Sequence, residues 1–448
     1  MAKDLFGTDG IRGVAGEYPL DPETVFAFGL ALGADLRSRG QAPAVLIGRD
    51  TRESGTQIAE HVAGGLAERG VTVRDAGVVT TPGVAYLTRT GPFAAGVMIS
   101  ASHNPYRDNG IKVFGHSGFK LPDEEEHAIE QEIFRLREAE LKPERRRLEA
   151  EPGLDEAYLA YLASTAGSRF NGLKVVLDAG NGAACQLGPD LFGRLGADVT
   201  RLNCAPDGRN INLDCGALHL EGLRESVLRR RADAGIAFDG DADRAMFIAP
   251  SGRVVDGDAV MLIAARALKA AGKLPGDLVV ATVMSNLGLE RALAQEGVRM
   301  VRTPVGDKYV LEEMVHSGAM LGGEQSGHVI FREWATTGDG LLTALRVLEI
   351  AVTSGKTLDQ LAEGLVIYPQ KLVNVRVREK KPLHGIPEVV QAMRRCETGG
   401  GRVLVRYSGT EPLARVMVEG PSLGEVEECS ARIAAAIERE IGIPQEGE

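Results

Sequence analysis

The chain has 448 residues, and its 51 Lys and Arg against 62 Asp and Glu give a net charge of −11 at pH 7. Hydrophobic residues make up 44 % and charged residues 25 % of the chain, so several cores can form and wholesale disorder is excluded. The acidic balance disfavours nucleic-acid binding through bulk charge, and the length predicts about three or four domains.

Three stretches of the chain share one predicted order: strand, helix, strand, helix, strand and a polar loop. They open at the apolar runs AVLIGR from Ala44, KVVLD from Lys174 and LVVAT from Leu278. Their third strands, GVMIS, IAF and AMLGG, run into the loops ASHNP, DGDADR and EQSGH. This alternation predicts α/β units with largely parallel sheets, in which ligands bind beyond the carboxyl ends of the strands. We therefore expect the three loops to converge on one cleft.

The last ~80 residues follow a different pattern. Three predicted strands, KLVNVRVREK, RVLVRYSG and ARVMVEG, precede a predicted helix, SLGEVEECSARIAAAIERE. This order predicts a small α+β domain with an antiparallel sheet. Between the first two α/β stretches, the charge-dense segment PDEEEHAIEQEIFRLREAELKPERRRLEA predicts a solvated helix and a connector.

The cysteines indicate a reducing compartment. Their number is odd, no CxxC occurs, and we expect all of them to be reduced thiols that serve mostly in packing. They are Cys185, Cys204, Cys215, Cys396 and Cys429. The N-terminal MAKDLFGTDGIRG lacks the apolar region of a signal peptide, and no apolar run approaches the ~18 residues of a spanning helix. A cytoplasmic location without membrane contact is the expectation.

The segment FDGDADR carries three alternating aspartates, Asp239, Asp241 and Asp243. In an extended segment the alternation would point all three carboxylates the same way. Three like charges in one small volume repel unless a cation lies among them, and hard oxygen ligands suit Mg²⁺ or Ca²⁺. The loop does not fit an EF-hand, because Arg244 stands where that motif needs a glycine. The alternative is a polar surface turn.

The segment SASHN places Ser102 where an apolar strand ends, with His103 beside it. A hydroxyl in this position could be a nucleophile or a covalent carrier of phosphate. No GxSxG elbow surrounds it, so serine-hydrolase chemistry is not indicated. Taken by itself, the motif is better explained as an ordinary serine in a turn.

The segment RYSGTEPLAR follows a predicted strand and has the composition of a phosphate site. The backbone N–H groups and hydroxyls of Ser408, Gly409 and Thr410 and the guanidinium groups of Arg406 and Arg415 suit an anion. The alternative is a β-turn flanked by surface arginines. The loop GGEQSGH mixes donors and acceptors suited to sugar hydroxyls. That loop, FGTDGIRG and TPVGDKYV would each be only a loop if they stood alone.

Together these segments resemble the α-D-phosphohexomutase superfamily, whose members interconvert 1-phospho and 6-phospho sugars. The resemblance covers essentially the whole chain through FGTDGIRG, ISASHNPYRDNGIKVF, FDGDADR, GGEQSGH and RYSGTEPLARVMVE, in that order. The wordings ISASHNP, CAPDGRNIN and GGEQSGH are closer to its glucosamine branch than to its glucose or mannose branches. The implied fold is three related α/β domains with mixed, largely parallel sheets plus a C-terminal α+β domain, around a central cleft. We expect the domains at 1–155, 156–255, 256–368 and 369–448.

The resemblance also implies roles for individual residues. Ser102 matches the phosphoserine, and Asp239, Asp241 and Asp243 match the Mg²⁺ ligands, with Ser102 contributing a phosphate oxygen. Arg12 and Arg244 match residues near the transferring phosphoryl group, and His103 and Lys112 match candidates for proton transfer. The remaining matches are substrate contacts: Lys308, Glu324 and Ser326 for the sugar, and Arg406, Ser408, Gly409, Thr410 and Arg415 for the phosphate that is not transferred.

The implied reaction converts glucosamine 6-phosphate to glucosamine 1-phosphate through phosphorylated Ser102. A sugar 1,6-bisphosphate is intermediate and activator, and Mg²⁺ is the cofactor. Lys112 could take the sugar proton only if its pKa were depressed, and His103 is nearer the ordinary range, so both stay open as the base. The implied partner is a small sugar phosphate, and the resemblance is compatible with a homodimer.

Three other functions compete with this one. A phosphomannomutase or phosphoglucomutase of the same superfamily differs in the sugar. A Mg²⁺-dependent phosphatase would pass the phosphoryl group to water. A sugar-phosphate sensor without turnover would keep the RYSGTEP loop and could lose Ser102 or the aspartates, all of which are present.

Overall fold

The computed structural model describes residues 5–40, 44–408 and 412–443. The chain divides into two compact units. The larger consists of Met1–Thr282 and Met300–Glu363, and the smaller of Val283–Arg299 and Gly364–Glu448. Within the described ranges, we find no helix whose length and hydrophobicity would let it span a bilayer.

The first α/β region is built on a six-stranded sheet with the order β1-β2-β6-β5-β3-β4. The pairs β5–β3 and β3–β4 are parallel, and β1, β2 and β6 extend the sheet in antiparallel fashion. The elements are β1 Phe6–Gly7, β2 Gly10–Val14, α1 Pro22–Ser38, β3 Ala44–Arg49, α2 Gly55–Glu68, β4 Thr72–Val78, α3 Thr81–Thr90, β5 Ala95–Ile99, β6 Asp108–Gly115 and α4 Asp123–Arg137.

The second region has a five-stranded sheet with the order β11-β10-β9-β7-β8. Here too the three strands of the strand–helix repeat are parallel, and the strand after the polar loop returns antiparallel. The elements are α5 Leu154–Thr165, β7 Lys174–Asp178, α6 Ala184–Arg194, β8 Asp198–Leu202, α7 Glu221–Arg230, β9 Ala234–Phe238, β10 Ala245–Ile248 and β11 Val254–Val255.

The third sheet has four strands in the order β13-β12-β14-β15. Strand β14 is parallel to β12 and antiparallel to β15, which again follows the polar loop. The elements are α8 Gly257–Ala270, β12 Leu278–Thr282, α9 Leu287–Gln295, β13 Arg299–Thr303, α10 Asp307–Ser317, β14 Leu321–Gly323, β15 Val329–Phe331, α11 Gly340–Ser354 and α12 Leu358–Leu361.

The smaller unit contains an antiparallel sheet with the order β16-β18-β17, covered by two helices. Helix α9 belongs to this unit: Asn286 before it donates from Nδ2 to the Tyr368 carbonyl at 3.0 Å and accepts from the Tyr368 N–H at 3.0 Å. The remaining elements are β16 Gln370–Arg376, α13 Pro387–Thr398, β17 Arg402–Tyr407, β18 Leu413–Glu419 and α14 Leu423–Ile441.

Polar side chains cap the beginnings of several of these helices. Asp21, Thr80, Asp256 and Asp339 each accept a hydrogen bond from a backbone N–H in the first turn of the helix that follows. Such caps satisfy donors that have no partner inside the helix. The helix ends therefore have a local cause that is visible in the sequence.

The predicted fold class is confirmed, and one expectation about the cysteines is wrong. Three α/β regions with mixed sheets precede an α+β region, and the parallel pairs join the strands of each predicted repeat. Cys396 on α13 and Cys429 on α14 form a disulfide, so these two are not reduced thiols. The two helices pack side by side, a proximity that spacing along the chain does not reveal. Cys185, Cys204 and Cys215 are free, as expected.

Candidate active site

The loop between β5 and β6 holds Ser102 in a buried position, with 1 % of its surface exposed. Its φ of 53° is left-handed, a conformation that residues other than glycine adopt rarely. The Ser102 hydroxyl donates a 2.5 Å hydrogen bond to Asp239 Oδ2, and His103 Nδ1 lies 3.4 Å from Oγ. The hydroxyl predicted to carry phosphate therefore contacts the first aspartate of the predicted metal loop.

The two loops approach each other too closely for a side chain at Gly240. A Cβ atom there would lie 2.6 Å from the Ser102 carbonyl oxygen. Thr81, at the start of α3, joins the loops further, because its Oγ1 donates to Asp241 Oδ2 at 2.5 Å. Thr81 and Asp241 are 160 residues apart, so nothing local in the sequence pointed to this contact.

The three aspartates converge, although by a different backbone from the one expected. Asp239, Asp241 and Asp243 are buried, and each offers an oxygen atom within 4.8 Å of the others. The segment is a turn with Ala242 at φ 53° rather than an extended strand, so the turn and not alternation brings the carboxylates together. Burial and the carboxylates of Asp243 and Asp241 raise the pKa of Asp239 well above its ordinary value.

Two carboxylate oxygens of this cluster show that it is suited to a divalent cation. Oδ1 of Asp241 and Oδ1 of Asp243 are buried and have no hydrogen-bond partner. Unpartnered buried oxygens are costly, and converging like charges add repulsion, unless a cation satisfies both. The donor set consists of oxygen atoms alone, which is the set that Mg²⁺ and Ca²⁺ prefer. The residues therefore fit a hard divalent metal ion.

Lys112 on β6 lies against the same cluster and is 1 % exposed. Its Nζ is 2.9 Å from Asp241 Oδ2, 3.4 Å from Asp243 Oδ2 and 3.1 Å from Asp9 Oδ2. Burial lowers the pKa of Lys112, but these carboxylates outweigh it and raise the pKa well above its ordinary value. In this arrangement Lys112 is a cation, whereas a base would need a depressed pKa.

Two arginines and a histidine complete the charge distribution around Ser102. Arg244 Nε lies 3.9 Å from Asp239 Oδ2 and 3.9 Å from Asp243 Oδ1. Arg12 on β2 is paired with Asp9 and donates to Asn104 Oδ1 at 3.4 Å. Burial, helped by Arg244 and Arg12, lowers the pKa of His103 to about 4. At neutral pH His103 is therefore unprotonated beside the hydroxyl.

These groups line a cleft of about 400 Å³. Its walls include His103, Arg12 and Arg244 together with Glu324 from the loop after β14. Glu324 Oε1 accepts a hydrogen bond from Gly306 N at 3.1 Å, and the neighbouring Ser326 Oγ is buried without a hydrogen-bond partner. The cleft therefore combines cations with oxygen acceptors, which suits a phosphorylated polyhydroxyl compound.

Asp9 and Asp307, which line the cleft, belong to a partly buried ion triad that the sequence did not indicate. Lys120 Nζ lies 2.6 Å from Asp9 Oδ1 and 2.6 Å from Asp307 Oδ2. Burial raises the pKa of Asp9, but Lys112, Lys120 and Arg12 outweigh it and hold the pKa well below its ordinary value. Asp9 and Asp307 lie in motifs that the sequence singled out, whereas Lys120 stands in none of them.

His328 connects that triad back to the aspartate cluster. Its Nδ1 is 3.6 Å from Asp243 Oδ1 and its Nε2 is 3.7 Å from Asp307 Oδ2. Gly338 N lies 3.0 Å from Nε2, which can accept its hydrogen bond only when the ring is neutral with its proton on Nδ1, toward Asp243. Burial lowers the pKa of His328, but Asp243 and Asp307 outweigh it and raise the pKa to about 9. The GGEQSGH motif contained this residue, although the sequence assigned it no role of its own.

Replacing Lys120 by methionine should lower the free energy of unfolding by about 1–2 kcal/mol, because it removes the cation that the partly buried carboxylates of Asp9 and Asp307 share. Urea unfolding followed by circular dichroism measures the change. Methionine at exposed Lys142 is the matched control and should leave the unfolding midpoint in place. Equal midpoints for the two variants would contradict a stabilising triad.

The structure does not bring Lys308 into the cleft with the other residues. Its Nζ pairs with Asp123 at the start of α4 and lies 3.5 Å from Glu126 Oε2. The predicted sugar contact of Lys308 has no support from these contacts and stays a prediction.

Within the smaller unit, Arg406 on β17 and Arg415 on β18 are directly opposite in the antiparallel register. Like charges placed opposite each other in a sheet are unfavourable, and an anion bound between them would relieve the repulsion. Ser408 is buried, its N–H donates to the Leu413 carbonyl at 2.8 Å, and its carbonyl accepts from Lys380 Nζ at 2.8 Å. Gly409 and Thr410, predicted for the same site, lie outside the described residues.

Comparison with known families accounts for nearly the whole chain. Four models of the phosphoglucomutase/phosphomannomutase family match in order: alpha/beta/alpha domain I at residues 3–140, domain II at 156–252, domain III at 256–367 and the C-terminal domain at 372–436. The chain belongs to this family. It is an enzyme of the phosphohexomutase superfamily, whose reactions are isomerisations by phosphoryl transfer, as the motifs predicted.

Two highly similar relatives share one name. The phosphoglucosamine mutase of Solibacter usitatus is 67 % identical over 445 residues, covering 99 % of this chain and 100 % of its own length. That of Koribacter versatilis is 53 % identical over 453 residues, covering 98 % of each chain.

Solved structures of the family share the fold. A phosphoglucomutase/phosphomannomutase family protein from Burkholderia thailandensis superposes with a TM-score of 0.79 at 25 % identity, covering 99 % of this chain and 100 % of that chain. The Aspergillus fumigatus N-acetylphosphoglucosamine mutase, solved in complex with GlcNAc-6P and magnesium, gives a TM-score of 0.63 at 18 % identity, covering 98 % and 96 %.

Proposed function

We propose that the protein is a phosphoglucosamine mutase that interconverts glucosamine 6-phosphate and glucosamine 1-phosphate. The observation that carries this proposal is the identity of 67 % and 53 % to phosphoglucosamine mutases along essentially the whole chain. It supports the glucosamine enzyme rather than the alternative phosphomannomutase or phosphoglucomutase. The product would supply amino-sugar nucleotides and cell-wall precursors, and we place the enzyme in the cytoplasm.

In the proposed reaction, phosphorylated Ser102 donates its phosphoryl group to the free hydroxyl of glucosamine 6-phosphate. The bond from phosphorus to Ser102 Oγ breaks, a bond to the sugar oxygen forms, the sugar hydroxyl proton passes to a base, and the released Ser102 oxygen takes up a proton. The resulting 1,6-bisphosphate turns round in the cleft. Ser102 Oγ then loses its proton as it accepts the other phosphate, the released sugar oxygen is protonated, and glucosamine 1-phosphate leaves. A sugar 1,6-bisphosphate would also restore an enzyme that has lost its phosphate.

The charges around Ser102 suit this transfer. Asp239, Asp241 and Asp243, with a phosphate oxygen on Ser102, would hold Mg²⁺, which neutralises charge on phosphoryl oxygens when bound. Arg244, within 4 Å of two of these aspartates, would stabilise the charge that develops during transfer. Arg12 faces the same cleft and would do the same.

The base for the sugar proton must be unprotonated at neutral pH. His103, with a pKa near 4, meets that condition beside Ser102. Lys112 would be unprotonated only if its ion pairs with the three nearby carboxylates weakened, because these carboxylates raise its pKa. We therefore favour His103 and keep Lys112 as the second candidate.

The sugar and the second phosphate would be held by residues away from Ser102. Glu324 and Ser326 supply acceptors and a hydroxyl for the sugar, with Lys308 as a further candidate. The phosphate that is not transferred would bind to Arg406, Ser408, Gly409, Thr410 and Arg415. We retain the four proposed domains, 1–155, 156–255, 256–368 and 369–448, and a homodimer as compatible with the resemblance.

The first experiment compares kcat/KM for glucosamine 1-phosphate, glucose 1-phosphate and mannose 1-phosphate, each with Mg²⁺ and a sugar 1,6-bisphosphate primer. We expect at least about a tenfold preference for the glucosamine phosphate, since a hydrogen bond to its charged amino group is worth about 1.5–3 kcal/mol. A preference for glucose or mannose phosphate would reject the proposed substrate. Sustained release of inorganic phosphate would instead indicate a phosphatase.

A further inference from the structure

Arg52, in the turn after β3, donates hydrogen bonds from both Nη atoms of its guanidinium group to the loop that carries Ser102. The Arg52 side chain is fully buried. Its Nη2 donates to the carbonyls of Ser102 at 2.9 Å and Asn104 at 2.8 Å. Its Nη1 donates to the carbonyl of Asp108 at 3.0 Å and also to that of Pro105. One side chain therefore collects four carbonyl groups between β5 and β6.

Asp50 accepts a hydrogen bond from Arg52 and is also linked, through Ser100, to the N–H of Ser102. Arg52 Nε donates to Asp50 Oδ2 at 2.9 Å, and Ser100 Oγ donates to the same oxygen at 2.6 Å. Ser100 Oγ in turn accepts the Ser102 N–H at 2.9 Å. The N–H and the carbonyl of Ser102 are thus both tied, directly or through Ser100, to the Asp50–Arg52 pair.

These hydrogen bonds stabilise the backbone conformation of Ser102. Its left-handed backbone is intrinsically unfavourable for a serine and persists only where the surroundings determine it. Asn212 contributes one further bond, from Nδ2 to the Ser102 carbonyl at 2.9 Å. A transferred phosphoryl group needs its donor oxygen aligned closely, and a displacement of about 1 Å can reduce a rate by about 10²-fold.

We propose that Arg52, held by Asp50, is a positioning residue that fixes the Ser102 hydroxyl for phosphoryl transfer. This inference rests on the proposed function, in which Ser102 is the phosphoryl carrier. Nothing in the sequence pointed to Arg52, since the turn GRDTRESG reads as an ordinary polar connection.

A buried arginine could also serve stability alone, and Arg49, the last residue of β3, provides the matched control. Arg49 Nη1 donates to Asp75 Oδ1 at 2.8 Å and Oδ2 at 3.0 Å, a partly buried pair that faces β4 rather than the Ser102 loop. Lysine at either position keeps the charge but loses the fork of a guanidinium group. A purely structural role would therefore give Arg49→Lys and Arg52→Lys similar kinetics.

The experiment measures kcat and KM for glucosamine 6-phosphate, and thermal stability, in wild type and the two lysine variants. We expect Arg52→Lys to lower kcat by about 30- to 100-fold with KM changed less than about twofold, because the sugar contacts remain. Arg49→Lys should keep kcat within about twofold of wild type. A wild-type kcat in a folded Arg52→Lys enzyme would overturn the positioning role.

Ser100→Ala covers the case in which Arg52→Lys does not fold, because it removes only the hydroxyl between Asp50 and the Ser102 N–H. It should lower kcat by about tenfold at unchanged KM, and an unchanged kcat would overturn the proposal. Failure of the proposed function looks different. Wild-type protein would then show neither sugar-phosphate turnover nor a phosphorylated Ser102 by mass spectrometry, and both proposals would fall.

Discussion

Alanine at Ser102 should reduce the interconversion of glucosamine phosphates by more than about 10⁴-fold, the order of loss that follows removal of an enzyme nucleophile. The side chain left behind cannot form a bond to phosphorus, and the reaction as proposed stores the phosphoryl group on this oxygen alone. Phosphorus NMR of an equilibrating mixture of the two sugar phosphates measures the rate directly, and mass spectrometry of the intact protein shows whether a phosphate is carried.

Alanine at Ser164 is the matched control for Ser102→Ala. Ser164 is exposed on α5, and its hydroxyl donates only to the Tyr161 carbonyl within the same helix, so activity should be that of wild type. Turnover by Ser102→Ala above roughly 1 % of wild type would reject Ser102 as the carrier. Unchanged protein phosphorylation in the variant would reject it equally.

Asparagine at Asp241 should weaken divalent-metal binding and lower kcat/KM by about 10³-fold, which corresponds to about 4 kcal/mol of lost transition-state stabilisation. The change keeps the size of the side chain but removes the charge beside Asp239 and Asp243. It also leaves Lys112 with one carboxylate fewer. Electron paramagnetic resonance of free Mn²⁺, titrated with protein in the absence of sugar phosphate, measures the affinity independently of turnover.

Asp190→Asn on α6 is the control for the metal prediction. Asp190 lies 3.5 Å from Arg201 at the surface, away from the cluster, so its loss should change neither Mn²⁺ affinity nor activity. An Asp241→Asn protein that binds Mn²⁺ as wild type does would remove this loop from the metal site. Equal losses in both variants would point to a general effect of lowered negative charge.

The strands that end at the chemical loops could be predicted because each is a short apolar run followed at once by polar residues. Strands β5, β9 and β14 behave in this way, and their loops meet through the contacts of Ser102 with Asp239 and of Asp243 with His328. The antiparallel strands β6, β10 and β15 were not separately predicted. Which strand each of them pairs with is determined by the tertiary fold, and the local sequence does not indicate the partner.

The residues that carry the chemistry of the site were easier to predict than the residues that hold them in place. Three closely spaced aspartates predict a bound cation because their like charges would otherwise repel one another. The turn that brings the three carboxylates together was not predicted. Thr81, Lys120 and Arg52 escaped prediction because each acts on a residue at least 50 positions away, and each residue type is common in solvated turns and helices. The disulfide between Cys396 and Cys429 was not predicted because the spacing of 33 residues does not show that their helices pack together.

Hydrogen bonds between residues 1–140 and residues 156–252 limit which chimeras of this chain can keep the arrangement of the site. Asn212 reaches the Ser102 carbonyl, Thr81 reaches Asp241, and Thr51 Oγ1 donates to the Asn181 carbonyl at 2.5 Å. The Ser102 loop is therefore not a portable module. A chimera that joins the first of these regions to the second region of a distant relative would lose the bonds made by Asn212, Asp241 and Asn181 unless these residues are transplanted with it.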